Sequence, residues 1–435
     1  MKVFFQSFGC KVNQYETENI RESFIKDGFS VCNDLKDADV VVINSCTVTS
    51  SGDNRSIKAL KQARKTAPDA VTVLTGCMPQ ASPDMAEKLP EADIITGTKN
   101  RNNIIPLVKE FINNKKRRVD IEVFGKKDRF EDMICKGFSG RTRAFVKIQD
   151  GCDRFCSYCM IPYARGRCRS KPLERLKEEA ESLAQNGYKE IVLVGINLAF
   201  YGIEFGACMT DAAELCSGIN GIERVRLGSL EPEMISNKDL ERLSRLPGFC
   251  PQFHLSLQSG CDKTLKAMNR KYTCAEYSEL VERIRNYFPD CSVTTDIMVG
   301  FPNETDEDFE QTMDFAESIG FSKIHVFPYS SRPGTAAAKM KGHLPERVKT
   351  ERMKKLISLG EKMSLKFHKS LIGKVFPVLF ERENDPDFHV GHTPNYTLIK
   401  IPEKNFQKSL KREIFYVKIE EGEKDCCIGK IINAV

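Results

Sequence analysis

The chain has 435 residues and 17 cysteines, an odd number scattered without the paired spacings of secreted scaffolds, which argues against a disulfide framework and for a reducing compartment. At ~150 residues per domain there is room for about three domains, each with its own core. A net charge of +6 is too small to mark a polyanion binder by itself, and Gln6 and Ser7 interrupt the amino-terminal apolar stretch. No apolar run approaches the ~18 residues of a bilayer span, so the expectation is a cytoplasmic protein with no membrane partner.

From Met1, three short β-rich runs each end at a cysteine: VFFQSFG before Cys10, VVVINS before Cys46 and VTVLTG before Cys77. A helical pattern follows each. Alternation of strand and helix predicts an α/β fold with a Rossmann-like parallel sheet over residues 1–112, whose strand carboxyl ends share one edge. Open α/β sheets bind ligands at that edge. Three cysteines distant in sequence therefore converge in space. Cysteine is also a common small core residue, which explains one strand-end position easily and three equivalent ones poorly.

Residues 113–137 are mixed, charged and glycine-punctuated, and form a linker. From residue 138 to 368 the pattern becomes strand then helix six times, with strands AFVKIQD, EIVLVG, RVRLGS, FHLSLQ, VTTDIMVG and KIHVFPYS. Six such units make a partial (β/α)6 barrel, whose chemistry belongs at the carboxyl-terminal mouth. Directly after the first strand comes GCDRFCSYC, with Cys152, Cys156 and Cys159 in C-x3-C-x2-C spacing. Three thiolates on one loop leave one iron of a 4Fe-4S cubane open to chemistry. The competing reading is a zinc site completed by a distant cysteine such as Cys168. Glycine-containing loops end other strands at the same mouth, at Gly195 to Asn197, Ser256 to Gly260 and Gly300 to Pro302.

The last segment, 369–435, changes character. VFPVLFE, FHVGH, YTLIKI, REIFYVKI and CCIGKII predict short strands of a small OB-like β-barrel. Its aromatics Tyr396, Phe415 and Tyr416 are candidates for stacking on bases. Just before it, Lys339 to Lys369 holds ten Lys or Arg against three Glu, and Lys115 to Arg118 adds a second basic cluster. Such patches suit a phosphate backbone, and equally a solvated helix face.

Six motifs follow one another along the chain: GCKVNQYE (9–16), NSCTVT (44–49), TGCMPQ (75–80), GCDRFCSYCMIPYARGRCRS (151–170), LQSGCDKTLKAMNR (257–270) and DIMVGFPNET (296–305). With them the sequence resembles the methylthiotransferases of the radical S-adenosylmethionine (SAM) superfamily over essentially its whole length. The KVNQYE run is similar to the subgroup acting on N6-threonylcarbamoyladenosine at position 37 of tRNA. The resemblance implies a terminal RNA-binding domain of the TRAM type, and two 4Fe-4S clusters: a SAM-cleaving one on Cys152, Cys156 and Cys159, and an auxiliary one on Cys10, Cys46 and Cys77. It implies that one SAM yields the radical that takes hydrogen from C2 of the adenine, while a second SAM methylates a sulfur on the auxiliary cluster. It further implies Tyr158 near the adenine of SAM, Gly195 and Asn197 at its methionyl end, and Ser256, Gln258, Asp296 and Gly300 lining the rest of the pocket.

The implied partners are the tRNA anticodon loop and a one-electron reductant such as a flavodoxin or ferredoxin. Arg165, Arg167 and Arg169, just past the cluster loop, are candidates for tRNA phosphate or for the substrate carboxylate. Two alternatives remain at this stage: the same chemistry on isopentenyladenosine at position 37, and a noncatalytic iron-sulfur RNA-binding redox sensor.

Overall fold

The computed structural model describes residues 1–125, 127–381, 387–402 and 409–432. Residues 382–386, 403–408 and 433–435 of the expected terminal domain lie outside the described residues. Among the described residues no helix is long and apolar enough to cross a membrane.

The amino-terminal sheet has six parallel strands: β1 (Lys2–Ser7), β2 (Ser30–Val31), β3 (Val40–Ser45), β4 (Val71–Gly76), β5 (Ile94–Thr96) and β6 (Arg118–Asp120). VVVINS and VTVLTG are buried at every position, as required of central strands covered by helices on both faces. The spatial order is β2-β1-β3-β4-β5-β6. Strand order therefore reverses between β1 and β3, and the crevice beyond their carboxyl ends is the ligand position of such sheets. Cys10 follows β1 and Cys46 follows β3.

The segment taken as a linker holds β6 and then a strap fastened along the joint with the next unit. Met133 and Cys135 are buried in it, and the Tyr15 hydroxyl donates to the Met133 carbonyl at 2.9 Å.

The six expected barrel strands are present as Ala144–Lys147, Glu190–Val194, Arg224–Leu227 with its continuation Ser229–Leu230, Gln252–Leu255, Ser292–Val299 and Lys323–Pro328, all parallel. The third strand breaks at Gly228, which divides the wall into a three-stranded and a four-stranded sheet. First and sixth strands are not paired to each other, so the barrel is open on one side. Helix Lys11–Lys26 of the amino-terminal unit packs on the first strand, and helix Glu346–Ser370 packs along the sixth, so the seam is flanked by both neighbours.

The terminal strands Val375–Phe380, Phe388–His392, Leu398–Pro402, Ile414–Gly422 and Cys427–Ile431 close into a barrel. It is docked under the amino-terminal ends of the larger barrel's strands. Arg226 donates to the Pro394 carbonyl at 2.8 Å, Arg224 to the His392 carbonyl at 3.0 Å, and Ser292 to the Asn395 carbonyl at 2.6 Å. Tyr396 is held in this joint, stacked on His392 at 4.5 Å with the Arg143 and Arg226 guanidinium groups each 4.7 Å from its ring. Its ring is thereby engaged by the joint, while the residue stays exposed at the cavity rim. Phe415 packs against the small barrel's core, and Tyr416 remains exposed.

Candidate active site

The three strand-end cysteines of the amino-terminal unit meet around one side chain. Asn13, one turn into helix Lys11–Lys26, donates to the Phe8 carbonyl at 2.9 Å and to the Ser45 carbonyl at 2.8 Å, which ties the loop before Cys10 to the loop before Cys46. Its Oδ1 faces the sulfurs of Cys10 at 3.9 Å and Cys77 at 3.8 Å. Gly9, at φ +94°, lies against Cys46 so tightly that a Cβ there would stand 2.9 Å from its Cβ and Sγ. Gly9→Ala is therefore expected to displace Cys46 and to halve the iron retained after anaerobic reconstitution, from about eight to about four per chain, while 5′-deoxyadenosine production continues. Unchanged iron content in that variant would show that Cys46 does not hold iron.

Beside this triad lies a buried ion network that welds the amino-terminal unit to the barrel. Glu16 accepts from Lys147 at 2.6 Å, from Arg101 at 2.8 Å and from both terminal nitrogens of Arg165 at 2.7 and 2.9 Å. Asp150 accepts from Lys147 at 2.7 Å, Arg169 at 3.0 Å and Arg165 at 3.1 Å. Burial pushes the Glu16 and Asp150 carboxyls up. The surrounding cations, Arg101 and Arg165 foremost at Glu16 and Lys147 at Asp150, outweigh that push and hold both carboxyls well below the usual range.

The network corrects the reading of the arginines. Arg165 is fully buried and spent on Glu16, Asp150 and Asn13, and Arg169 is spent on Asp150 and on the Arg165 and Arg167 carbonyls. Neither reaches RNA or substrate; Arg167 alone of the three is exposed. What Arg165 does instead is place positive charge next to Cys77 and Cys46. That charge favours thiolates and the anionic cluster they would hold. Burial still outweighs Arg165 at Cys77 and pushes that thiol up to about 12, so the cysteine becomes a thiolate only on binding metal.

At the barrel mouth the loop carrying Cys152, Cys156 and Cys159 is pinned from outside itself. Ser157 donates through its backbone to the Met268 carbonyl at 3.0 Å and through its hydroxyl to the Ala267 carbonyl at 2.9 Å, and Asn269 donates to the Phe155 carbonyl at 3.0 Å. Three donors are aimed at the sulfurs: Asn197 Nδ2 at Cys152 (3.7 Å), Arg270 Nη1 at Cys156 (3.4 Å) and the Ile161 amide at Cys159 (3.4 Å). Burial pushes the Cys159 thiol up to about 12.

A single zinc ion would need sulfurs ~3.8 Å apart. Among the described residues the one set of three ligand groups within 4.8 Å of one another contains no cysteine. The Cys168 sulfur faces the Gly151 carbonyl at 3.8 Å while its backbone amide donates to Asp153, and it joins no such set, which leaves the zinc reading without its fourth ligand. The donor set fits iron-sulfur ligation instead. The residues also fit SAM: Asn197 is buried, its backbone amide donates to Gln149 Oε1 at 2.7 Å, and its own Oδ1 has no protein partner, as an acceptor awaiting an ammonium group would.

The other pocket residues divide into two groups. Tyr158 lies beside Cys156, Cys159 and Arg270 and packs edge-on to Phe301. Gly195 packs on Gln149, where a Cβ would come within 2.9 Å, and the Ser256 carbonyl accepts from Arg270 at 2.9 Å and Tyr272 at 2.5 Å. Gln258, in the left-handed region at φ 71°, extends the barrel edge through the Asp296 carbonyl and the Met298 amide. Gly300 is spent on packing, since a Cβ there would meet Lys349 Cγ at 2.4 Å.

The Asp296 side chain points lower, into the barrel interior, 3.4 Å from His254 and beside His325. That interior is a cavity of about 600 Å3, floored by the terminal barrel and reached by Lys11 at the amino-terminal end of its helix. Sequence reasoning missed Lys11, Asn13, Glu16 and Arg270. The first three lie within KVNQYE, where only the cysteine before them signalled chemistry.

Residues 146–316 match the Radical SAM superfamily, and residues 2–97 match the uncharacterized protein family UPF0004. The threonylcarbamoyladenosine tRNA methylthiotransferase MtaB of Aquifex aeolicus is 39% identical over 88% of this chain and 94% of its own length. The tRNA-2-methylthio-N(6)-dimethylallyladenosine synthase of Bacillus subtilis is 35% identical over 99% and 86%. Among solved structures, the radical SAM methyltransferase TsrM of Kitasatospora setae superimposes with a TM-score of 0.56 at 14% identity, covering 89% of this chain and 80% of that one, which supports the shared fold. Full-length identity at this level excludes a noncatalytic sensor: the enzyme uses SAM and iron-sulfur chemistry on modified adenosines of tRNA, and the chain belongs to the radical SAM tRNA methylthiotransferases.

Proposed function

We propose that the chain attaches a methylthio group to C2 of N6-threonylcarbamoyladenosine at position 37 of tRNA, with two 4Fe-4S clusters and a one-electron donor of the flavodoxin or ferredoxin class, in the cytoplasm. Cys152, Cys156 and Cys159 would hold the cluster that cleaves SAM, and Cys10, Cys46 and Cys77 the auxiliary one. The bound groups supply the oxidising power and the sulfur that no side chain offers for an unactivated aromatic C–H. The protein's share is placement. Asn197 Oδ1 would receive the SAM ammonium, Tyr158, backed by the buried Phe301, would flank the adenine, and Arg270, braced by Glu231 at 2.6 Å, fixes Cys156. Arg165 balances charge at the auxiliary site, and the docked terminal barrel keeps bulk water from the floor.

Names of relatives do not choose the substrate, because 39% and 35% identity attach to enzymes named for different side chains. The observation that carries the choice is the cavity wall, where Gln252, His254, Thr294, Asp296 and His325 present polar groups. These groups bond one another, Gln252 and His254 to Thr294 and His254 to Asp296, and form a polar wall. A prenyl group would press hydrocarbon against it, whereas a urea, a hydroxyl and a carboxylate would add hydrogen bonds to it. Reduced enzyme given SAM and tRNA carrying either modification should methylthiolate the threonylcarbamoyl form at least about 100-fold faster. Nucleoside mass spectrometry reads the products, and equal or reversed preference would overturn the assignment.

A further inference from the structure

Lys11 immediately follows Cys10, yet its side chain leaves the cysteine site and enters the barrel cavity. Other cations of that neighbourhood are spent. Arg143 pairs with Glu381 at 3.0 Å, Arg226 with Glu190 at 2.9 Å, and Lys424 with Glu361 at 2.6 Å. Three carboxylates line the cavity: Asp296 faces His254, Glu361 holds Lys424, and Asp425 follows Lys424 at the edge. Lys11 and Lys323 line the same space with no carboxylate within ion-pair distance among the described residues. His254, Asp296 and His325 line that cavity with them.

Lys11 and Lys323 stay exposed to this space and form no ion pair among the described residues, so both ammonium groups are available to an anion that enters it. Resting on the substrate reading above, we infer that Lys11, with Lys323 and His325, forms the subsite that holds the carboxylate of the threonylcarbamoyl side chain. An ammonium on a flexible stem reaches that carboxylate while its neighbour Cys10 stays with the cluster site, so substrate recognition and sulfur delivery come from consecutive residues. An isopentenyl group gives the subsite nothing to bind.

The test uses the full-length enzyme and two tRNAs, one carrying threonylcarbamoyladenosine and one its cyclised form, in which the carboxylate is condensed onto the urea and carries no charge. Wild type should disfavour the cyclised substrate by at least about tenfold in kcat/KM. Lys11→Met should lose about that factor on the open substrate alone and so treat the two nearly alike, with the loss mainly in KM; Lys11→Arg should restore discrimination. Should Lys11→Met fail to retain its iron, Lys323→Met, distant from any cysteine ligand, carries the same expectation at smaller amplitude. Equal losses on both substrates, or wild-type discrimination surviving in iron-replete Lys11→Met and Lys323→Met, would overturn the subsite. Wild-type activity on isopentenyl tRNA with none on either threonylcarbamoyl form would instead overturn the underlying substrate reading.

Discussion

Replacing Cys152, Cys156 and Cys159 together by alanine should abolish 5′-deoxyadenosine formation and leave about four of about eight irons per chain after anaerobic reconstitution. Replacing Cys10, Cys46 and Cys77 should remove the same number of irons and leave SAM cleavage in place, but yield no methylthio product. The asymmetry follows from geometry. Asn197, Tyr158 and Arg270 surround only the loop triad, whereas Asn13 and Arg165 serve only the strand-end triad. Iron analysis, chromatography of the cleavage product and nucleoside mass spectrometry read the three outcomes. Full iron content in the second triple variant would make the strand-end cysteines structural.

The largest single-substitution loss of stability is expected at Glu16→Gln. Glu16, Lys147 and Arg165 are essentially inaccessible to solvent, and Arg101 nearly so. Removing the charge leaves three buried cations facing one another with fewer counter-charges, and breaking such a buried arrangement costs ~3–5 kcal/mol. Because the network joins two units, the amino-terminal unit should also become susceptible to limited proteolysis at a temperature where wild type resists. A change inside the ~0.5 kcal/mol typical of surface substitutions would contradict this.

The pH dependence has a definite sign. Burial raises the Glu16 and Asp150 carboxyls, but the cations around them win and hold both depressed. A depressed carboxyl contributes stability above its unfolded value of ~4, and that stability is lost as pH falls through the folded value. From this network, unfolding midpoints should be flat through neutral pH and fall only in acid.

Much of this was legible in the residues. Each cysteine triad sits where strand-then-helix patterning puts it, since a short β-branched run followed by a helical period locates a strand end without tertiary knowledge. The five terminal strands were equally plain, because turn residues punctuate them.

What was hidden depends on contacts between distant segments. Arg165 and Arg169 looked available because Glu16 and Asp150, their counter-ions, come from other elements, one of them 149 residues away. Lys349 and Arg352 counted toward the basic stretch, yet Lys349 packs on Gly300 and reaches the Tyr329 carbonyl, and Arg352 is paired with Glu304 and Asp306. Lys354, Lys355, Lys362, Lys366 and Lys369 of the same helix remain exposed and keep the polyanion reading. The engagement of the Tyr396 ring could not be read from one strand, because its partners Arg143 and Arg226 belong to the larger barrel.

The most direct measurement of the central claim is mass spectrometry of tRNA nucleosides from cells lacking this gene, beside cells that regain it. The account predicts loss of the 2-methylthio derivative of N6-threonylcarbamoyladenosine, accumulation of its unthiolated precursor, and restoration by the wild-type gene but not by a copy with Cys152, Cys156 and Cys159 replaced. Loss of the methylthio isopentenyl nucleoside instead, or an unchanged nucleoside profile, would contradict it.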